Sequence, residues 1–284
     1  MRWSKGRRSQ NVEDRRRIRV SRRMAGGGIG TLVLVVAALY LGIDPSIFMN
    51  QRTTQVSVPS ETASPQRTAE EDRMADFVSV VLADTEDTWR ELFGQRGGAY
   101  REPRLVLFSG AVESACGFAQ AAMGPFYCPG DHTVYIDLAF YRDLKNRFQA
   151  PGDFAQAYVI AHEIGHHVQN LLGIMDKVRS LQGRMNRQEA NSLSVRMELQ
   201  ADCLAGIWAH HADRTRKILE EGDVDEALGA ASSIGDDRIQ RQARGYVVPE
   251  SFTHGSSEQR VRWFSRGIET GDFSKCNTFE TGRL

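Results

Sequence analysis

The stretch Ala161-His162-Glu163-Ile164-Gly165-His166-His167 places two histidines four residues apart, with a glutamate directly after the first. On an α-helix, residues four apart lie on one face a turn apart, so both imidazoles reach one small cation. Zinc suits them, because it accepts neutral imidazole nitrogen at about 2.0–2.1 Å. Glu163 sits about 100° around the helix from His162, off the ligand edge but close enough to bond a water beside the metal. That is the position of a general base for hydrolysis. His167 points off the ligand face and reads as structural.

A hydrolytic zinc keeps three protein ligands and one open position, so a third ligand must come from another element. Glu198 is the best candidate, in Arg196-Met-Glu-Leu-Gln-Ala-Asp-Cys-Leu-Ala-Gly-Ile-Trp208. Asp202, one turn further along the same face, is placed to accept the outer N–H of a zinc-bound imidazole. Leu199, Cys203, Ala205, Gly206 and Trp208 make the surroundings small and apolar, which suits close packing on another helix.

These residues need two helices, and the chain marks both. Asp153-Phe-Ala-Gln156 has the form of a capping box, and Gly173 stands where a C′ glycine would. Between them Phe154, Ala157, Tyr158, Ile160, Ala161, Ile164 and Val168 are apolar, which predicts a helix buried on most of its surface. Asn186-x-x-Glu189 opens the Glu198 helix. Thr68-Ala-Glu-Glu71 begins a packing helix as far as Gly94. Asp223-x-x-Glu226 begins a helical region to about Gln242, interrupted by Gly229 and Gly235, with Asp236, Asp237 and Gln240 as caps and exposed positions. Ser256-Ser-Glu-Gln259 begins the last helix. Arg104–Phe108 and Thr133–Leu138 read as strands. Thr133–Leu138 is the candidate edge strand, on which an extended peptide would pair by main-chain hydrogen bonds.

A length of 284 residues allows one or two domains, and 41% apolar with 25% charged is ordinary globular composition. The net charge is zero, which gives no general affinity for nucleic acid. Residues 1–23 carry ten basic side chains against two acidic ones. Met24 to Ile43 has no charge, and twenty helical residues span about 30 Å, the hydrocarbon thickness of a bilayer. A cleaved signal peptide is the competing reading, though its apolar region would be about 7–15 residues. The expected organisation is a basic cytoplasmic tail (1–23), a transmembrane helix (24–43), a flexible linker (44–68) and a globular domain (69–284). By the positive-inside rule the N-terminus is cytoplasmic and the domain lies across the inner membrane, extracytoplasmic or periplasmic. Four cysteines fit an oxidising compartment. Of three possible pairings, Cys116–Cys128 and Cys203–Cys276 are favoured; the first closes a short loop, and the second fastens the C-terminus to the Glu198 helix.

H-E-x-x-H followed by E-x-x-x-D on a later helix resembles the glutamate-zincin metallopeptidases. The match is closer still to a bacterial family of neutral zinc metallopeptidases (YpfJ-like). It runs through Arg104-Leu-Val-Leu-Phe-Ser-Gly110, Glu113-Ser-Ala-Cys-Gly117, Gly124-Pro-Phe-Tyr-Cys128, Val134-Tyr-Ile-Asp-Leu138, His162–His166, Glu198-Leu-Gln-Ala-Asp202 and Phe252-Thr-His-Gly-Ser-Ser-Glu-Gln-Arg260. The resemblance implies an α+β, mainly helical, zincin-like domain with a small antiparallel sheet and one catalytic Zn²⁺. It also implies a peptide or protein substrate, cleaved by a zinc-activated water with Glu163 as base. His254 is then the candidate oxyanion donor, since resembling zincins place a comparable histidine after the glutamate-bearing helix, and Tyr246 is the runner-up. A non-catalytic, zinc-stabilised membrane scaffold that binds a partner protein is the alternative, and a different zinc hydrolase remains open.

Overall fold

A computed structural model describes residues 1–18, 68–282 and 284. They fold as one unit. The first element is a short strand, β1 (Val12–Asp14). Helix α1 (Ala69–Gly94) opens on Thr68, whose hydroxyl accepts from the Glu71 N–H while the Glu71 carboxylate accepts from the Thr68 N–H. Then come β2 (Arg104–Phe108), the hairpin β3 (Ala111–Ser114) and β4 (Gly117–Gln120), β5 (Phe126–Cys128) and β6 (Thr133–Asp137). The rest is helical: α2 (Ala139–Asn146), α3 (Asp153–Leu171), α4 (Ile174–Gln182), α5 (Arg187–Arg216), α6 (Asp223–Ser233), α7 (Asp236–Arg244) and α8 (Ser257–Thr270). The class is the expected α+β, mainly helical.

The main sheet has the order β1-β2-β6-β5, with β1 and β6 parallel to β2 and β5 antiparallel to β6. Two expectations change. The sheet is mixed rather than antiparallel; only the separate β3–β4 hairpin and the β5–β6 pair are antiparallel. Thr133–Leu138 is not an edge strand, because β6 lies between β2 and β5 and all five of its residues are buried. The unbroken apolar run Val134-Tyr135-Ile136 is the pattern of a strand covered on both faces. The edge on that side is the three-residue β5, held to the end of the β3–β4 hairpin by the Cys116–Cys128 disulfide.

Of the basic stretch 1–23, residues 1–18 are not a separate tail, and residues 19–23 fall outside the described residues. Residues 1–18 belong to the folded unit. Strand β1 pairs with β2 in the register Val12↔Leu105, Glu13↔Val106, Asp14↔Leu107. The arginines have acidic partners: Arg7 on Glu86 and Asp87, Arg8 on Asp76, Arg15 on Glu13, Arg16 on Asp14. Glu13 and Asp14 stand beside their arginines on β1, but Asp76, Glu86 and Asp87 lie far along the chain on α1, where the sequence did not show the match. The apolar run Met24–Ile43 falls outside the described residues. Among the described residues no helix is long and apolar enough to cross a membrane.

The sheet and α1 form one side of the core, and α3 packs between them and α5. Helix α3 starts differently from expectation. Gly152 is its N-cap, and Asp153 makes no capping bond but accepts from the Met1 ammonium at 2.7 Å. It ends as expected, with Gly173 in the left-handed region at φ 70. Helix α5 opens on the Asn186–Glu189 capping box and α8 on the Ser256–Gln259 one. Gly229 lies inside α6 without breaking it, whereas Gly235 separates α6 from α7. Helices α5 and α8 touch backbone to backbone: a Cβ on Gly206 would lie 2.3 Å from the Phe264 carbonyl oxygen. The Cys203–Cys276 disulfide ties the C-terminal segment to α5 at the same level.

Candidate metal centre

Helix α3 carries His162 and His166 on one edge, and α5 brings Glu198 against them. Glu198 Oε2 lies 3.2 Å from His162 Nε2, and its Oε1 lies 3.4 Å from His166 Nε2. One ligand atom from each of the three lies within 4.8 Å of the others. A tetrahedral zinc with bonds of about 2.0–2.1 Å separates its ligand atoms by roughly 3.4 Å. The donor set of two imidazoles and one carboxylate fits zinc in type and spacing. The helices reach this distance because α3 carries Gly165 between the two histidines. A Cβ there would lie 2.8 Å from the Ala201 carbonyl oxygen of α5.

Each imidazole is oriented from behind. His162 Nδ1 donates to Asp202 Oδ1 at 2.8 Å, which leaves Nε2 for the metal. Asp202 is fully buried and also accepts from the Tyr158 hydroxyl at 2.5 Å. Arg260 donates to both of its oxygens, each at 2.9 Å. Burial alone would raise Asp202, but the Arg260 guanidinium and His162 outweigh it and hold the carboxyl at about 2. Burial likewise pulls His162 down, yet the Asp202 carboxylate and Glu198 hold it up at about 10. A positive charge is thus favoured where a dication would bind. His166 Nδ1 donates to Gln169 Oε1 at 2.9 Å, and Gln169 is fixed by donating to the Met197 carbonyl at 2.7 Å and to Gln200 Oε1 at 3.1 Å.

Gln169 was not singled out in the sequence, Tyr158 was read only as an apolar helix position, and Arg260 was quoted only within a longer matching stretch. Gln169 carried a signal, standing three residues after His166 on the same helix face. Arg260 carried none locally, since its partner Asp202 is on another helix.

Glu163 lies one residue beyond His162 and is 8% exposed. On its side of the site stands Tyr141 of α2, whose buried hydroxyl has no hydrogen-bond partner among the described residues. Burial first, then the Glu163 charge, pushes this phenol well above its ordinary range. His167 behaves as the structural residue expected. It is buried, 3.0 Å from the Tyr127 hydroxyl and 2.6 Å from the Arg101 carbonyl, and burial pulls it down to about 4.

His254 stands on the loop before α8, packed on α5, where a Cβ on Gly255 would meet Leu199 at 3.1 Å and Val195 at 3.4 Å. Its Nδ1 lies 3.2 Å from Asp236 Oδ1. The other oxygen of Asp236 accepts the backbone N–H of Thr253, His254 and Gly255 at 2.7, 2.6 and 3.1 Å. Asp236 is therefore not an exposed cap but the buried clamp of this loop. Its hydrogen bond is the main influence raising His254 above the ordinary histidine value, and the Glu198 charge adds to it. Tyr246, the runner-up, is 61% exposed on the loop after α7. A second carboxylate group, Asp153, Asp223 and Glu226, lies at the start of α3. It is taken up by the Met1 ammonium and the Phe154 N–H.

Comparison with known proteins places the chain in a family. The chain is 51% identical over 288 residues to YpfJ of Escherichia coli (strain K12), covering 98% of this chain and 99% of that protein. It is 42% identical over 262 residues to Rv2575 of Mycobacterium tuberculosis (strain H37Rv), covering 87% and 86% respectively. No solved structure matches. The family described as "Putative neutral zinc metallopeptidase" matches residues 1–279, and the chain belongs to that family.

Proposed function

We propose that the protein is a membrane-anchored, zinc-dependent peptidase that binds one zinc and whose metal-binding domain faces an oxidising, extracytoplasmic space. The observation that carries the catalytic part is the conjunction of His162, His166 and Glu198 around one point with Glu163 beside it. Two disulfides and no free cysteine support the compartment. The apolar run Met24–Ile43 supports the anchoring.

A bound zinc would supply Lewis acidity toward a water and toward the scissile carbonyl. The chain's own residues do the rest. Asp202 and Gln169 hold the two imidazoles with their outer nitrogens protonated, so both Nε2 atoms face the site. Arg260 balances the Asp202 charge, so the carboxylate orients His162 without needing a proton itself. Glu163 takes a proton from the attacking water and returns it to the leaving amine. His254, whose Nδ1 bonds Asp236 and whose pKa that bond raises, donates to the oxyanion of the tetrahedral intermediate.

The test is metal content and peptide hydrolysis on the same full-length preparations. Wild type is expected to hold one zinc and cleave; Glu163→Gln is expected to hold zinc and lose about 10²–10⁴ in kcat. His162→Ala, His166→Ala and Glu198→Ala should lose zinc. An active Glu163→Gln would overturn the mechanism, and a zinc-loaded wild type that cleaves nothing in a broad peptide library would point to the scaffold.

A further inference from the structure

The N-terminal arginines first suggest a cytoplasmic anchor, and in the fold they have another use. Strand β1 supplies the outer strand of the main sheet, and its ends are bonded into β2: the Leu105 N–H donates to the Asn11 carbonyl at 2.9 Å and the Arg15 N–H to the Leu107 carbonyl at 2.7 Å. Before β1 the chain crosses α1, where the Ser9 N–H donates to the Ser79 carbonyl at 3.0 Å and Ser79 Oγ donates to the Ser9 carbonyl at 3.3 Å. Below this crossing lies Glu86, 1% exposed. Its side-chain partners come from the N-terminal segment: Ser9 Oγ at 2.5 Å, Asn11 Nδ2 at 2.8 Å and Arg7 at 2.8 Å. The segment therefore both buries this carboxylate and satisfies it. A buried carboxylate stripped of such partners costs several kcal/mol, so the fit is a matched surface and not a chance contact. The family match also begins at residue 1, so it takes in this segment.

We propose that residues 1–18 are a structural strap, docked on the acidic face of α1 and the edge of β2, and that they share one compartment with the metal centre. The partner of that acidic surface is this chain's own basic segment. Four of the arginines that would hold the N-terminus in the cytoplasm, Arg7, Arg8, Arg15 and Arg16, are spent as ion-pair partners within the folded unit, on Glu86, Asp87, Asp76, Glu13 and Asp14. The strap also ends near the start of α1, with Arg16 donating to the Glu71 carbonyl at 3.0 Å. The chain between them leaves and returns on one side of any membrane, so it makes no crossing or an even number. A single crossing between the strap and α1 is incompatible with this placement. This inference is independent of whether the zinc site hydrolyses peptides.

Two measurements on the full chain test it. In Ser9→Cys/Ser79→Cys the new thiols sit on residues joined by a backbone hydrogen bond, Ser9 N–H to the Ser79 carbonyl, and all native cysteines are already paired. Tryptic mapping of the envelope fraction without reduction should find the two peptides linked. The second measurement labels Ile18→Cys and Lys177→Cys, both exposed, with a membrane-impermeant maleimide before and after permeabilisation. Both should react under the same condition. Reaction of Lys177→Cys alone in sealed cells or spheroplasts, with Ile18→Cys reacting only after permeabilisation, would overturn the proposal whatever the cross-link shows. Same-side labelling without the Ser9–Ser79 link would reject the docked strap.

Discussion

At the residue scale, the site works through neighbours that set which proton sits where. His254 is the clearest case, because it is half-exposed and the rise in its pKa rests mainly on one hydrogen bond, which its Nδ1 donates to Asp236. A histidine whose value is raised keeps its proton to higher pH, so the donor form is present below the raised value and is lost as pH climbs through it. If His254 donates to the oxyanion, the alkaline limb of kcat follows that loss. His254→Ala should keep zinc and melting temperature while kcat falls about 10²–10³-fold. Asp236→Asn should keep a donor but move the alkaline limb to lower pH, as read from a kcat–pH profile. An unmoved limb in Asp236→Asn, with His254→Ala fully active, would leave His254 only the task of seating the loop before α8.

At the element scale, the centre exists because two helices touch. His162 and His166 were legible from their spacing, and Glu198 and Asp202 from theirs, since each pair lies on one helix face. What the sequence could not show is how close the helices come, which Gly165 decides. The helix openings at Thr68, Asn186 and Ser256 were legible because a capping box is local chemistry. The Asp153 opening failed because a carboxylate at a helix start has other possible partners, and here an ammonium takes it. The sheet was misread for a similar reason. An internal strand differs from an edge strand only by its neighbours, and the neighbour that makes Thr133–Asp137 internal is β5, Phe126–Cys128, only three residues long. Gly165→Ala tests the helix contact. The added methyl meets the Ala201 backbone, which has no rotamer to escape into, so α3 and α5 must part. The expected result is a loss of about 1–3 kcal/mol in urea unfolding, together with faster zinc release to a chelator. Zinc release at the wild-type rate would show that the ligand geometry does not depend on this approach.

At the scale of the whole molecule, the metal-binding helices are held by a strap at one end of the chain and a disulfide at the other. Cys203–Cys276 spans a sequence separation of 73, against 12 for Cys116–Cys128. In the chain-entropy account the longer loop is worth about 4 kcal/mol and the shorter about 3. Their sites differ more than their energies. Cys203 is the residue after Asp202, and the segment around Cys276 makes direct contacts with α5. Gln200 donates to the Cys276 carbonyl at 3.0 Å, Arg196 donates to the Thr278 carbonyl, and the Thr278 hydroxyl donates to the Arg196 carbonyl at 2.6 Å. Gln200 is also the residue that receives Gln169, which orients His166. Releasing the C-terminal segment therefore loosens the helix that carries Glu198 and the support behind His166 together. Cys116–Cys128 instead fastens the β3–β4 hairpin to the edge strand β5. The double variant Cys203→Ala/Cys276→Ala should lose several kcal/mol in urea unfolding and also release zinc faster under native conditions. Cys116→Ala/Cys128→Ala should lose stability with zinc release close to wild type. The measurement is chelator-driven zinc release beside urea unfolding for both pairs. Equal release rates in the two double variants would mean that the C-terminal bridge adds stability without holding the metal centre.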